Sequence, residues 1–100
     1  MIGFGLVVTH TLVAGREEDF DALVARTVPV IKEREPGTLV YLTHAVQGHP
    51  DQRVFYELYR DRAAFEAHEQ QNHVMVFQSE REALVTSIEV DFLEALDGIA

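Results

Sequence analysis

The sequence predicts an α+β domain in the order β-α-β-β-α-β, a four-stranded antiparallel sheet with two helices on one face. Three observations carry this reading. Apolar residues recur at steps of three and four in only two stretches, one after Arg16 and one after Asp61. Four other stretches are rich in apolar and β-branched residues and alternate in the manner of strands. The middle two of these are separated only by the turn Gln47-Gly-His-Pro-Asp51, which makes them an antiparallel hairpin.

The first strand is Ile2 to Leu12, where Gly3 and Gly5 leave room for a close neighbour. From Arg16 the period changes. Phe20, Leu23, Val24, Thr27, Val28 and Ile31 form one apolar stripe of a helix, with Glu17, Glu18 and Asp19 in its first turn and Lys32 and Arg34 in its last. That charge order complements the helix dipole. Pro29 should kink this helix, because its ring removes a donor and crowds the preceding turn, and Pro36-Gly37 ends it. The second strand, Thr38 to Val46, sets Leu39, Tyr41, Thr43 and Ala45 against Val40, Leu42, His44 and Val46. The third, Arg53 to Arg60, puts Val54, Tyr56 and Leu58 on one side and Phe55, Glu57 and Tyr59 on the other. It runs straight into a helix capped by Asp61, on which Phe65 and His68 share a face. A break is expected near Gln70 to Asn72, with the helix resuming through Val74, Phe77 and Leu84. Ser87 to Leu96 is the last strand, Ile88, Val90 and Phe92 opposing Glu89 and Asp91.

Residues 1–100 make one domain, and 47% hydrophobic residues are those of a folded core. There is no cysteine, so no disulfide, thiolate ligand or thiol nucleophile. The amino terminus lacks a basic region before its apolar run, no apolar segment approaches the roughly 20 residues of a membrane span, and a cytoplasmic location is expected. A net charge of −9 argues against nucleic acid or an anionic membrane as partner. Two helices cover one face of the sheet, yet the first two strands are apolar on both. The uncovered face predicts a homodimer.

Glu35-Pro-Gly-Thr-Leu-Val-Tyr, Val54-Phe-Tyr-Glu-Leu-Tyr-Arg-Asp, Ala64-Phe-Glu-Ala-His and Asn72-His-Val together resemble the successive signatures of the antibiotic biosynthesis monooxygenase domain. The resemblance extends from Val7 to about Phe92. It implies a ferredoxin-like fold assembled as a dimeric α/β barrel, in a family that includes cofactor-independent oxygenases, haem-degrading enzymes, isomerases and members with no assigned reaction. The haem-degrading pattern has an asparagine on the first strand, a tryptophan where this chain has His68, and a later haem-ligating histidine. Here Val8 and about Gln78 fall where asparagine and ligand would be, so haem is disfavoured and no cofactor is expected.

The quinol and polyketide oxygenases of the family match through Glu57, His68 and His73. The resemblance implies Glu57 and His68 as proton-handling residues, Tyr59 and His73 as orienting groups, and Tyr41, Phe55, Tyr59 and Phe77 as walls for a quinol-like or polycyclic phenolic substrate, with His44 also able to line the cavity. Such a ring, once deprotonated, passes an electron to dioxygen itself, so the protein need only remove the proton, hold the ring and exclude water. Glu57 among aromatics admits two readings, a base of raised pKa or one half of an ion pair with an arginine across the sheet or across the dimer, Arg53 and Arg60 being the obvious candidates. His68 and His73 stand five apart, about 140° round a helix, which does not match a zinc-binding pair on one helical face. His10, His44 and His49 read as edge or loop residues. Two other functions stay open: an isomerase of a small carbonyl metabolite using the same base, and a dimeric binding or stress-related protein with a filled pocket and Glu57 in a salt bridge.

Overall fold

The computed structural model describes residues 3–99; Ile2, expected in the first strand, lies outside them. Strand β1 (Phe4–Leu12) leads to α1 (Glu17–Arg34), then the hairpin β2 (Thr38–Val46) and β3 (His49–Tyr59), the helices α2 (Arg62–Glu69) and α3 (Asn72–Arg81), and β4 (Val85–Leu93). All sheet pairings are antiparallel and the strand order is β2-β3-β1-β4. The predicted architecture stands, with the second helix divided in two.

Local chemistry explains the boundaries. Asp61 accepts the Ala64 N–H at 2.8 Å and starts α2, a cap worth about 1 kcal/mol. At Gln70 and Gln71 the chain leaves the helix, and Gln71, with extended backbone, precedes α3. Helix α1 runs unbroken through Pro29, and Thr27 returns its hydroxyl to the Leu23 carbonyl at 2.8 Å. The hairpin is tighter than expected. Only Gln47 and Gly48 turn, with Gly48 at φ 81°, and His49, Pro50 and Asp51 already belong to β3. The last strand starts two residues early and ends at Leu93. Gly3, at φ 77°, passes so close to β3 that a Cβ would stand 2.7 Å from the Tyr59 carbonyl oxygen.

The register shows which face is interior. Leu6 lies opposite Glu57 and Val8 opposite Phe55, while Tyr41 pairs with Glu57 from the other side. The face with Phe55, Glu57 and Tyr59 therefore turns towards the helices, where Leu6, Val8, Leu12, Phe20, Leu23, Phe55, Tyr59 and Phe77 form the core. Val54, Tyr56 and Leu58 lie on the face that no helix covers, together with Val7, Val40 and Leu42. His10 is not an edge residue. It is fully buried beside Phe20 and Phe55, at ring separations of 5.1 and 4.4 Å. No helix among the described residues is long and apolar enough to cross a membrane.

Candidate active site

The sheet and the two short helices enclose a cavity of about 190 Å³. Leu6 and Val8 come from β1, Tyr41 from β2, Glu57 from β3, and Phe65, His68 and Glu69 from α2. Helix α3 adds Val74, Phe77, Gln78 and Arg81, and β4 supplies Ile88, Val90 and Phe92. These three β4 side chains are 37%, 47% and 60% exposed, which marks this edge as the mouth.

His68 is 4% exposed and Glu35 6%, so their contact is made out of water. Glu35 Oε1 stands 2.6 Å from His68 Nδ1, and Oε2 stands 2.5 Å from His73 Nε2. A carboxylate only accepts, so each facing ring nitrogen donates. The Thr38 hydroxyl is the carboxylate's third donor, reaching Oε1 at 2.8 Å. Because Nδ1 carries the hydrogen, His68 is held as the tautomer whose Nε2 is a free base, and its ring borders the cavity. Such a carboxylate both orients the ring and stabilises the cation formed when Nε2 takes a proton.

Glu57, 5% exposed, accepts the Tyr59 hydroxyl at 2.5 Å. Burial raises its pKa from the usual carboxylate value, while the Tyr59 hydrogen bond and the His68 and Arg81 charges pull the other way. Burial and the neighbouring Glu57 carboxyl raise Tyr59, which stays protonated as a donor. Within the chain, neither arginine expected as a partner pairs with Glu57. Arg53 pairs with Asp21 at 2.8 Å and Arg60 lies 3.8 Å from Asp61. Among the described residues of this one chain Glu57 has no salt bridge, and it borders the cavity.

The structure gathers Tyr41, Glu57, His68 and Phe77 on one cavity and separates the other expected residues from it. Tyr59 is completely buried and acts through Glu57. Phe55 packs into the core between His10 and Phe77. His73 reaches Glu35 and does not border the cavity. His44 belongs to the opposite side of its strand, where Nδ1 meets the Val54 carbonyl at 3.0 Å and the residue borders an open groove against α1. That groove, of about 450 Å³, is larger than the cavity but walled mainly by Val24, Ala25, Val28, Pro29 and Ala45, with Asp21 and Arg53 already paired. Sequence reasoning missed two residues. Glu35 entered only as the first residue of the Glu35-Pro-Gly-Thr-Leu-Val-Tyr stretch, with no role, and Arg81 not at all. The single signal for Glu35 was its place directly before Pro36-Gly37, where the chain must turn inward to start a central strand. Among the described residues, no group of three His, Asp or Glu side chains is placed to hold a metal ion.

Solved structures share this fold. PA3566 from Pseudomonas aeruginosa is 27% identical, with 97% of each chain covered and a TM-score of 0.87. SO0527 from Shewanella oneidensis is 25% identical over 92% of this chain and 89% of its own, at a TM-score of 0.83. Rv0793 from Mycobacterium tuberculosis, 19% identical, covers 97% of this chain and 98% of its own at 0.89, a likeness of fold. Comparison with the curated proteins finds no match. The family model described as antibiotic biosynthesis monooxygenase matches residues 3–80, and on that match the chain belongs to this family.

Proposed function

We propose that the protein is a homodimeric, cofactor-independent monooxygenase of a quinol-like or related phenolic compound. The observation that carries this is the Glu35–His68 pair, a base of fixed tautomer set on the border of an aromatic-walled cavity. His68 Nε2 removes a proton from the activated ring carbon or its hydroxyl tautomer, and the resulting carbanion passes one electron to dioxygen. Recombination forms the C–O bond, and His68 returns its proton to the peroxide. Loss of the remaining C–H proton with hydroxide leaves a carbonyl and one water. Glu57, whose burial favours the protonated form, stands on the same cavity to assist the leaving hydroxide. The volume favours one substituted ring or a compact two-ring system over larger polycycles, since an apolar cavity of about 150 Å³ holds a benzene.

Oxygen uptake tests this reading, with 1,4-dihydroxynaphthalene, substituted hydroquinones and anthrone as substrates. Uptake that falls to background in His68→Ala is the expected result; no uptake with any of them, or full uptake by His68→Ala, defeats it. One observation favours a second reading. Glu57 and His68 border a single cavity, and an acid and a base so placed also suit isomerisation of a small carbonyl compound, which would consume no oxygen.

A further inference from the structure

Arg81, in the last turn of α3, borders the same cavity as Glu57 and His68. Its guanidinium lies 5.2 Å from the centre of the Phe77 ring, and Nη1 donates to His10 Nε2 at 3.2 Å. Nε is buried with no hydrogen-bond partner. Arg16, Arg26 and Arg53 each reach a carboxylate, at 2.7, 3.4 and 2.8 Å. Among the described residues Arg81 reaches none, although Glu57, Glu69, Glu82 and Tyr41 stand near enough to act on its charge. Glu57 is engaged by Tyr59 and Glu69 by Gln78, at 2.5 and 3.1 Å. His10 is a neutral acceptor here, since burial and Arg81 itself lower its pKa to about 4. A partly buried guanidinium with a buried, unused donor and no carboxylate within ion-pair distance is costly unless a ligand supplies an acceptor.

We propose that Arg81 is the specificity-determining anchor of the cavity, which takes an aromatic ring bearing an anionic oxygen, a carboxylate or a phenolate. Tyr41, Phe65 and Phe77 wall the ring, and Arg81 meets its oxygen. The inference rests on the proposed function only in placing the ligand in this cavity, and it is tested by binding rather than turnover. The probes are 2-naphthoate and 2-naphthamide, alike in shape and different in charge, titrated calorimetrically and followed by the methyl resonances of Val8, Ile88 and Val90. The naphthoate should bind about tenfold more tightly than the amide, move those methyls, lose its advantage in Arg81→Gln and keep part of it in Arg81→Lys. Equal affinities, no binding by either probe, unmoved methyls, or an undiminished preference in Arg81→Gln overturns it. Should Arg81→Gln fail to fold, the comparison of the two probes on the unaltered protein decides alone. Absence of oxygen uptake leaves this result untouched.

Discussion

Glu35 Oε1 and His68 Nδ1 are 2.6 Å apart and both residues are buried, although 33 positions separate them in sequence. The contact joins the end of α1 to the last turn of α2, and the second oxygen of the same carboxylate extends it to the start of α3. One side chain therefore sets both the tautomer of the candidate base and the junction of three helices.

Glu35 substitutions should separate these two roles. In Glu35→Ala the buried His68 donor loses its acceptor at about 1–3 kcal/mol and the partly buried His73 donor at less, so urea denaturation should show a loss of roughly 2–4 kcal/mol. Glu35→Gln keeps an acceptor oxygen and the shape, so it should lose under half as much. Its turnover should nevertheless fall about 100-fold, in the range of a lost general base. Equal stability of the alanine variant and the unaltered protein would show that the triad holds nothing together.

Glu57 makes a pH-dependent contribution whose sign is fixed by its raised pKa. An acid whose folded pKa exceeds its unfolded value contributes stability below about pH 4.5, and this is lost as pH rises through the folded value. Glu57→Gln, neutral throughout, should therefore gain on the unaltered protein from pH 4.5 upwards when both are followed by thermal melts. Tyr59→Phe removes the donor that favours the charged form and should widen that window upwards, at a cost of about 1–3 kcal/mol near neutral pH. A stability difference between Glu57→Gln and the unaltered protein that does not vary with pH would contradict the burial argument.

Much of this was legible in the sequence, and the misses have physical causes. Alternation showed that Phe55, Glu57 and Tyr59 share a face, and helical spacing put Phe65 with His68, because both periods follow from backbone geometry. Neither says which face of a strand is interior. Glu57 lies inside because Tyr59 supplies its hydrogen bond, and that partner shows only once the face is known. Glu35 and His68 meet through tertiary packing that no local pattern encodes, and so do His10 and Arg81. His10 interrupts an apolar strand, a position that reads as an edge until its two hydrogen-bond partners are placed around it.

His10 should govern the acid limit of the fold. Burial and the Arg81 charge lower its pKa from 6.5 to about 4, so it folds neutral and must take a proton on unfolding in mild acid. A group with a lowered folded pKa contributes stability above pH 6.5 that is lost as pH falls through about 4, here about 3 kcal/mol from the two values. Chemical denaturation between pH 7 and pH 4 should show that slope in the unaltered protein. His10→Asn should start less stable and lack most of it. A slope as steep in the variant assigns the acid sensitivity to other groups.

The uncovered sheet face carries the last prediction. Val7, Val40, Val54, Tyr56 and Leu58 lie side by side on it, and Leu42 beside them is 54% exposed. The helices α1, α2 and α3 all stand on the other side, and within the chain only the segment after β4 comes near this surface, beside Tyr56 and Leu58. A second copy is the expected cover, since the same patch on two copies can meet about a twofold axis. It would also fix the sheet that carries Glu57 from behind. Sedimentation equilibrium should give twice the chain mass. Val54→Asp paired with Leu58→Asp puts charge at the centre of the face and should give the single-chain mass, with the melting temperature lowered and dependent on protein concentration no longer. A monomeric unaltered protein, or a dimer indifferent to both charges, would place the interface elsewhere.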